Sequence, residues 1–126
     1  MPRKKARKKI LIIEDEMALV NNLALALSDD FEVASATTAD EGLRKACKEL
    51  PDLILLDLML PDRSGIEVLR QLKGDPKTDD IKVVVLTNLS GGDIISQILA
   101  AGGKEYIVKA DWSIAEVVEK IKKAIE

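Results

Sequence analysis

Leu53-Ile54-Leu55-Leu56-Asp57-Leu58-Met59-Leu60-Pro61-Asp62-Arg63-Ser64-Gly65-Ile66-Glu67 decides how the chain is read. Its opening apolar run has the character of a strand buried on both faces, and Ser64 with Glu67 three residues on has the spacing of a helix start. Asp57 therefore stands at the carboxyl end of a buried strand, where open α/β sheets place their chemistry. Working outward, Ile10 to Ile13 runs into Glu14-Asp15, and two further apolar runs end in Thr87 and Lys109. Carboxylates, a hydroxyl and an ammonium are expected to meet at one edge of a sheet.

Apolar periodicity alternates between short continuous runs and helical stripes five times. Strands are expected at Ile10 to Ile13, Glu32 to Ala36, Leu53 to Leu56, Lys82 to Leu86 and Glu105 to Val108. Val20, Leu23, Ala24 and Leu27 form the first stripe, and Ala39, Leu43, Ala46 and Leu50 the second. Ile66, Leu69 and Leu72 form the third, Ile94, Ile95, Ile98 and Leu99 the fourth, and Ile114, Val117, Val118, Ile121 and Ile125 the fifth. Each has the spacing of a helix laid on a core.

Thr38 with Glu41, Ser64 with Glu67, Ser90 with Asp93 and Ser113 with Glu116 are spaced as capping boxes, and Gly102-Gly103 ends the fourth helix. Cys47, in register with Leu43, Ala46 and Leu50, reads as a core position rather than a reactive thiol. The first, third and fourth strands are apolar throughout, whereas the second alternates and belongs at an edge. The expected fold is α/β, a doubly wound five-stranded parallel sheet in the order 2-1-3-4-5, with helices on both faces in a three-layer (βα)5 sandwich.

At 126 residues the chain fits one domain, expected over residues 9–126, behind a basic tail over residues 1–8 that is expected to be disordered. Arg3, Lys4, Lys5, Arg7, Lys8 and Lys9 crowd that end, and without these six the remaining 13 cations face 22 acids. A body near −9 argues against nucleic-acid binding by the domain, and the basic arm reads as a solubilising tail. No apolar stretch approaches the ~20 residues that span a bilayer, and no signal peptide is recognisable, so no membrane partner and a cytoplasmic location are expected. The single cysteine agrees with a reducing compartment. With no histidine in the chain, Ser-His-Asp and Cys-His catalysis, imidazole metal ligation and a histidine phosphocarrier are excluded.

In the 2-1-3-4-5 order the first and third strands are neighbours whose crossovers leave to opposite faces, so a crevice opens at their carboxyl ends. Glu14, Asp15 and Asp57 are expected there, with Lys109 supplying one positive charge. Three clustered carboxylates need a cation or protons, and an oxygen-lined site of this kind suits Mg²⁺. The layout is that of a metal-assisted phosphoryl acceptor.

The acidic pair after the first strand, Asp57 followed by Leu-Met-Leu-Pro-Asp-x-x-Gly, Thr87 after the fourth strand and Lys109 after the fifth resemble the receiver domain of two-component response regulators, with its flavodoxin-like fold. The resemblance runs from about Lys9 to the end of the chain. It implies that Asp57 attacks the phosphorus of a phosphohistidine on a sensor histidine kinase or histidine phosphotransfer protein. Asp15, Asp57 and the Met59 carbonyl would ligate Mg²⁺, with Glu14 acting directly or through water. Lys109 and Thr87 would hold phosphoryl oxygens, and Tyr106 is similar to the family's switch aromatic.

The resemblance further implies output to an effector through the face of the fourth helix, fifth strand and fifth helix, from a monomer or weak homodimer. Such a chain catalyses only its own phosphorylation and dephosphorylation and is not a turnover enzyme.

The chain departs from the family pattern at Ala110, where proline is common, and at Asn88, where alanine or glycine is common. A trans bond and a shifted loop are expected after Lys109. The alternative these departures motivate is a phosphate-independent scaffold with the same fold. Met59 and Leu89, apolar beside the expected water path, predict slow autodephosphorylation. Gly91-Gly92-Asp93 matches a cyclase signature only in fragment and is read as chance, and Trp112 is expected to pack locally near Lys109.

Overall fold

A computed structural model describes residues 7–126. Five strands, β1 (Lys9–Ile13), β2 (Glu32–Ala36), β3 (Leu53–Leu56), β4 (Lys82–Thr87) and β5 (Glu105–Val108), alternate with α1 (Met17–Leu27), α2 (Ala39–Glu49), α3 (Gly65–Gly74), α4 (Gly92–Ala100) and α5 (Ile114–Ile125). All strand pairs are parallel and the order is β2-β1-β3-β4-β5, as the sequence predicts. β4 reaches one residue further than expected, taking in Thr87.

Side chains alternate across the sheet with the strand period of two, which divides the core into two layers. Leu11, Ile13, Ile54, Leu56, Val83 and Val85 face α2, α3 and α4. Ile10, Ile12, Leu53, Leu55, Val84, Leu86 and Ile107 face α1 and α5. Because β1, β3 and β4 are covered on both sides, they carry polar residues only at their two ends, with Lys9 and Lys82 at the starts and Thr87 closing β4. That arrangement keeps the chemistry at one rim.

The helix starts are only partly as predicted. Ser113 and Glu116 form a complete reciprocal box, with Ser113 Oγ accepting from Glu116 N (3.1 Å) and Glu116 Oε1 from Ser113 N (2.8 Å). Thr38 caps Glu41 N, but Glu41 answers at Thr37 N, one residue early. Ser64 caps Ile66 N instead of Glu67 N. Ser90 caps nothing: α4 begins at Gly92, and its N-cap is Gly91 at φ 107°, a conformation open to glycine. The end of α4 is as expected, since Gly102 N and Gly103 N donate to Leu99 O and Ile98 O, the pair of bonds that closes a Schellman motif.

Three readings of the apolar stripes are corrected. Cys47 is exposed, because α2 turns Ala39, Gly42 and Ala46 to the sheet. A Cβ on Gly42 would stand 2.6 Å from Ile13 Cδ1, so the helix approaches the sheet most closely at a residue that hydropathy does not mark. Leu50 leaves the stripe as an exposed C-cap in the left-handed region, at φ 48°. On α4 only Ile98 is fully covered, whereas Ile95 and Leu99 are exposed.

Candidate functional site

Sheet hydrogen bonding continues just past the strands, with Glu14 N donating to Ala36 O (2.9 Å) and Asp57 N to Ile13 O (3.0 Å). Those bonds fix the backbone of both acids while their side chains meet in the β1/β3 crevice. Glu14 is 1% exposed and Asp57 3%, whereas Asp15 is exposed. One carboxylate oxygen from each of Glu14, Asp15 and Asp57 lies within 4.8 Å of the others.

Lys109 enters from the end of β5. Its Nζ is 2.5 Å from Glu14 Oε1, 3.2 Å from Asp57 Oδ2 and 3.8 Å from Glu16 Oε1. Glu16 N also donates to Glu14 Oε2 (2.9 Å), and Met59 N to Asp57 Oδ1 (3.2 Å), so backbone donors hold both buried carboxylates. Thr87, fully buried, accepts from Leu89 N (3.2 Å).

Burial is the strongest influence on Glu14 and raises its pKa. The bonds from Lys109 and Glu16 N oppose it, the Asp57 charge reinforces it, and the net shift is upward. For Lys109 burial is again the largest influence and pushes the pKa down, but the hydrogen bond to Glu14 and the charges of Asp57 and Glu14 outweigh it. The ammonium stays charged.

The structure brings together Glu14, Asp15, Asp57 and Lys109, with Met59 bonded at the rim and 60% exposed. Thr87 ends the next strand in the sheet. Tyr106, half-buried, packs against the layer that faces α4. Both departures from the family pattern, Asn88 and Ala110, are exposed. No peptide bond among the described residues is cis, so the linkage after Lys109 is trans as expected, and Lys109–Asp111 forms a 3₁₀ turn after β5. Trp112 is more open than expected, at 38% exposure.

Two residues of this neighbourhood are invisible to strand-end reasoning. Glu16 reaches Lys109 from the first turn beyond the acidic pair, and a third acid in the Glu14-Asp15-Glu16 run is its only sequence signal. Asp62 lies in the loop that follows Asp57, yet its Oδ1 accepts from Ala39 N (2.8 Å) and its Oδ2 from Asp40 N (3.1 Å), at the start of α2. Those bonds hold the Asp62 carboxyl below the usual carboxylate range, the one to Ala39 most strongly. The cations Arg3, Lys4 and Lys5 lie outside the described residues, while Arg7 bonds to Ser28 O (2.7 Å) and Lys8 O accepts from Glu32 N (2.9 Å).

The acidic trio fits a hard divalent cation: the donors are all oxygen, they converge, and one ammonium does not balance them. Among the described residues no helix is long and apolar enough to cross a membrane.

Comparison with known proteins agrees with this geometry. The response regulator PleD of Caulobacter vibrioides is 41% identical over 103 residues, which is 80% of this chain and 22% of PleD. The phosphate regulon transcriptional regulatory protein PhoB of Pseudomonas aeruginosa is 39% identical over 116 residues, covering 91% of this chain and 50% of PhoB. The chain thus spans half or less of the length of these relatives.

A CheY-like receiver domain protein of Methanospirillum hungatei superposes with a TM-score of 0.88 at 31% identity, covering 95% of this chain and 94% of that one. The phosphorylated cyanobacterial phytochrome response regulator RcpA superposes at 0.80, also at 31% identity, covering 94% and 91%. Residues 10–122 match the response regulator receiver domain, and the chain belongs to that family.

Proposed function

We propose that the chain is a phosphorylation-controlled switch that accepts one phosphoryl group on Asp57, with Mg²⁺, from a sensor histidine kinase or histidine phosphotransfer protein. The observation that supports this best is the placement of Asp57: buried at the end of β3, within reach of Glu14 and Asp15, and 3.2 Å from the Lys109 ammonium. An Asp57 carboxylate oxygen attacks phosphorus as the bond from phosphorus to the donor's imidazole nitrogen breaks. The nitrogen leaves with the bonding pair and the product is an acyl phosphate.

Glu14, Asp15, Asp57 and the Met59 carbonyl would hold Mg²⁺, which when bound supplies the positive charge that lets an anionic nucleophile meet an anionic phosphoryl group. Lys109 pairs with Asp57 before transfer and with a phosphoryl oxygen after it. Thr87 donates its hydroxyl proton to another of those oxygens, and its movement frees space for Tyr106.

Output passes through the face of α4, β5 and α5, where Ile95 and Leu99 of α4 are exposed and Tyr106 of β5 is half-buried. Release of water from exposed apolar side chains of this kind favours a protein effector. Residues 9–126 act as the receiver unit, in the cytoplasm where a kinase can reach it, behind a basic arm over residues 1–8. The chain catalyses its own phosphorylation and loss of phosphate without turning over a separate substrate.

The test is intact mass spectrometry after incubation with Mg²⁺ and a small acyl phosphate donor. Wild type gains one phosphoryl group and Asp57→Asn gains none. An equal gain by both variants, or by neither, refutes the assignment.

A further inference from the structure

We propose that Asp62 is a positioning residue for the Mg²⁺ site, fastening the loop that carries Met59 to the first turn of α2. The inference rests on the proposed reading of the site and concerns a residue that does not touch the acidic trio.

The loop from Leu58 to Ser64 is closed at its base by Gly65 N donating to Leu58 O (2.8 Å) and by an antiparallel bridge between Met59 and Ser64. Its tip is tied by the two bonds from Ala39 N and Asp40 N to the separate oxygens of Asp62. Arg63 adds an ion pair to Asp40, at 2.6 Å. Only Leu60 and Pro61 separate the pinned Met59 from the pinned Asp62, and the Pro61 ring fixes φ. The Met59 backbone, whose carbonyl is the proposed ligand, therefore has little freedom to move.

The anchor is itself part of the site's other wall. α2 starts three residues after Ala36, whose carbonyl accepts from Glu14 N (2.9 Å) in the β1/β2 ladder. Asp62 thus joins the β3 side of the crevice, with Asp57 and Met59, to the β1/β2 side, with Glu14 and Asp15. Asp62 also serves amides that local capping does not reach, because Thr38 occupies only Glu41 N. An anionic carboxylate on two open N–H groups of a helix start is doubly favoured, by hydrogen bonding and by the helix dipole.

Mg²⁺ demands near-ideal octahedral geometry, so a loosened carbonyl ligand shows first in affinity. Removing a group that orients metal ligands typically weakens binding by about tenfold or more; for a tie one loop away, roughly threefold to tenfold is expected. Mg²⁺ binding would be measured by isothermal titration calorimetry on wild type, Asp62→Ala, Asp62→Asn and Thr38→Ala, with thermal midpoints taken without metal. Thr38→Ala strips a cap from the same helix without touching the loop, and so reports what fraying of α2 does by itself.

Asp62→Ala is expected to weaken Mg²⁺ binding by that factor, Asp62→Asn, which keeps one acceptor, by less, and Thr38→Ala not at all, although its midpoint falls. At saturating Mg²⁺ the phosphorylation rate of Asp62→Ala should return to the wild-type value. Unchanged affinity in Asp62→Ala, or equal weakening in Thr38→Ala, overturns the positioning role alone. Wild type that binds no Mg²⁺ overturns the reading of the site, and the positioning role with it.

Discussion

Gly65→Ala tests how tightly the start of α3 is set against the residue proposed to take the phosphoryl group. A Cβ built on Gly65 lies 2.6 Å from Leu58 Cα and closer still to the carbonyl oxygen of Asp57. Carbon atoms in contact prefer about 3.5 Å or more, so roughly 1 Å of separation must be found. β3 cannot supply it, being hydrogen-bonded to β1 on one side and β4 on the other. α3 cannot supply it cheaply either, because Val68, Leu69 and Leu72 are sealed in the core. The displacement falls on the backbone of Asp57 and Leu58.

Overpacking of this kind costs about 1–3 kcal/mol, and a misplacement of about 1 Å at a reacting group can slow transfer by on the order of a hundredfold. Gly74→Ala is the internal comparison. Nothing lies within 4 Å of its Cβ position at the end of the same helix, so the substitution should stabilise by about 0.4–1 kcal/mol through the unfolded chain. Urea denaturation gives both stabilities, and phosphorylation by a small acyl phosphate gives the rate. A Gly65→Ala protein as stable as wild type and phosphorylated at the same rate would refute the steric reasoning.

Three further outcomes are expected. Asp62 has its pKa lowered from 3.8 by its bonds to Ala39 N and Asp40 N, so the stability it confers is complete above that value and is lost as pH falls through the lower native pKa. The difference in thermal midpoint between wild type and Asp62→Asn should therefore shrink on acidification from neutral pH to below 3.8, and a constant difference would contradict the hydrogen-bonding account. Cys47, exposed on α2, should react fully with an aromatic disulfide reagent in the native protein and leave the thermal midpoint unmoved; a thiol that reacts only after denaturation would show the helix face to be wrong. With apolar Met59 and half-buried Leu89 flanking the site, phosphate should be lost slowly from the phosphorylated domain and faster from a variant with glutamate or glutamine at Leu89. Rapid loss that is indifferent to that substitution would count against it.

The strands were legible because β1, β3 and β4 are continuous apolar runs, and β2, with its alternating pattern, stood out as the edge. The acidic trio and Lys109 were legible for the same reason: polar residues directly after such runs have only one place to go. What escaped were features set by approach and not by hydropathy. The α2 stripe centres on Gly42, which carries no apolar side chain to count, so hydropathy alone puts Cys47 on the wrong face, while Leu50 has already left the helix as its C-cap. α4 offers four apolar residues, but this short helix covers the core mainly through Ile98, leaving Ile95 and Leu99 to solvent. The Asp62 tie joins segments 23 residues apart and has no periodic signature.

On the proposed reading, charge balance would give Lys109 and a divalent ion separate tasks in this crevice. Glu14, Asp15 and Asp57 bring three negative charges against the one ammonium that touches two of them, while the mostly exposed Glu16 is screened by water. The remainder is two negative charges, which a divalent cation cancels and a monovalent one does not. On the proposed reading, Asp57 gives up its own charge on becoming an acyl phosphate while the phosphoryl group brings about −1.5 to −2, so the crevice grows more negative. On that reading Lys109, paired with both Glu14 and Asp57 beforehand, would follow the new charge. The Thr87 hydroxyl accepts from Leu89 N and donates to nothing among the described hydrogen bonds, so its proton is available to the same oxygens. On the proposed reading, one added charge would thus recruit Thr87 from the end of β4 and Lys109 from the turn after β5, the two strands that border the exposed face of α4.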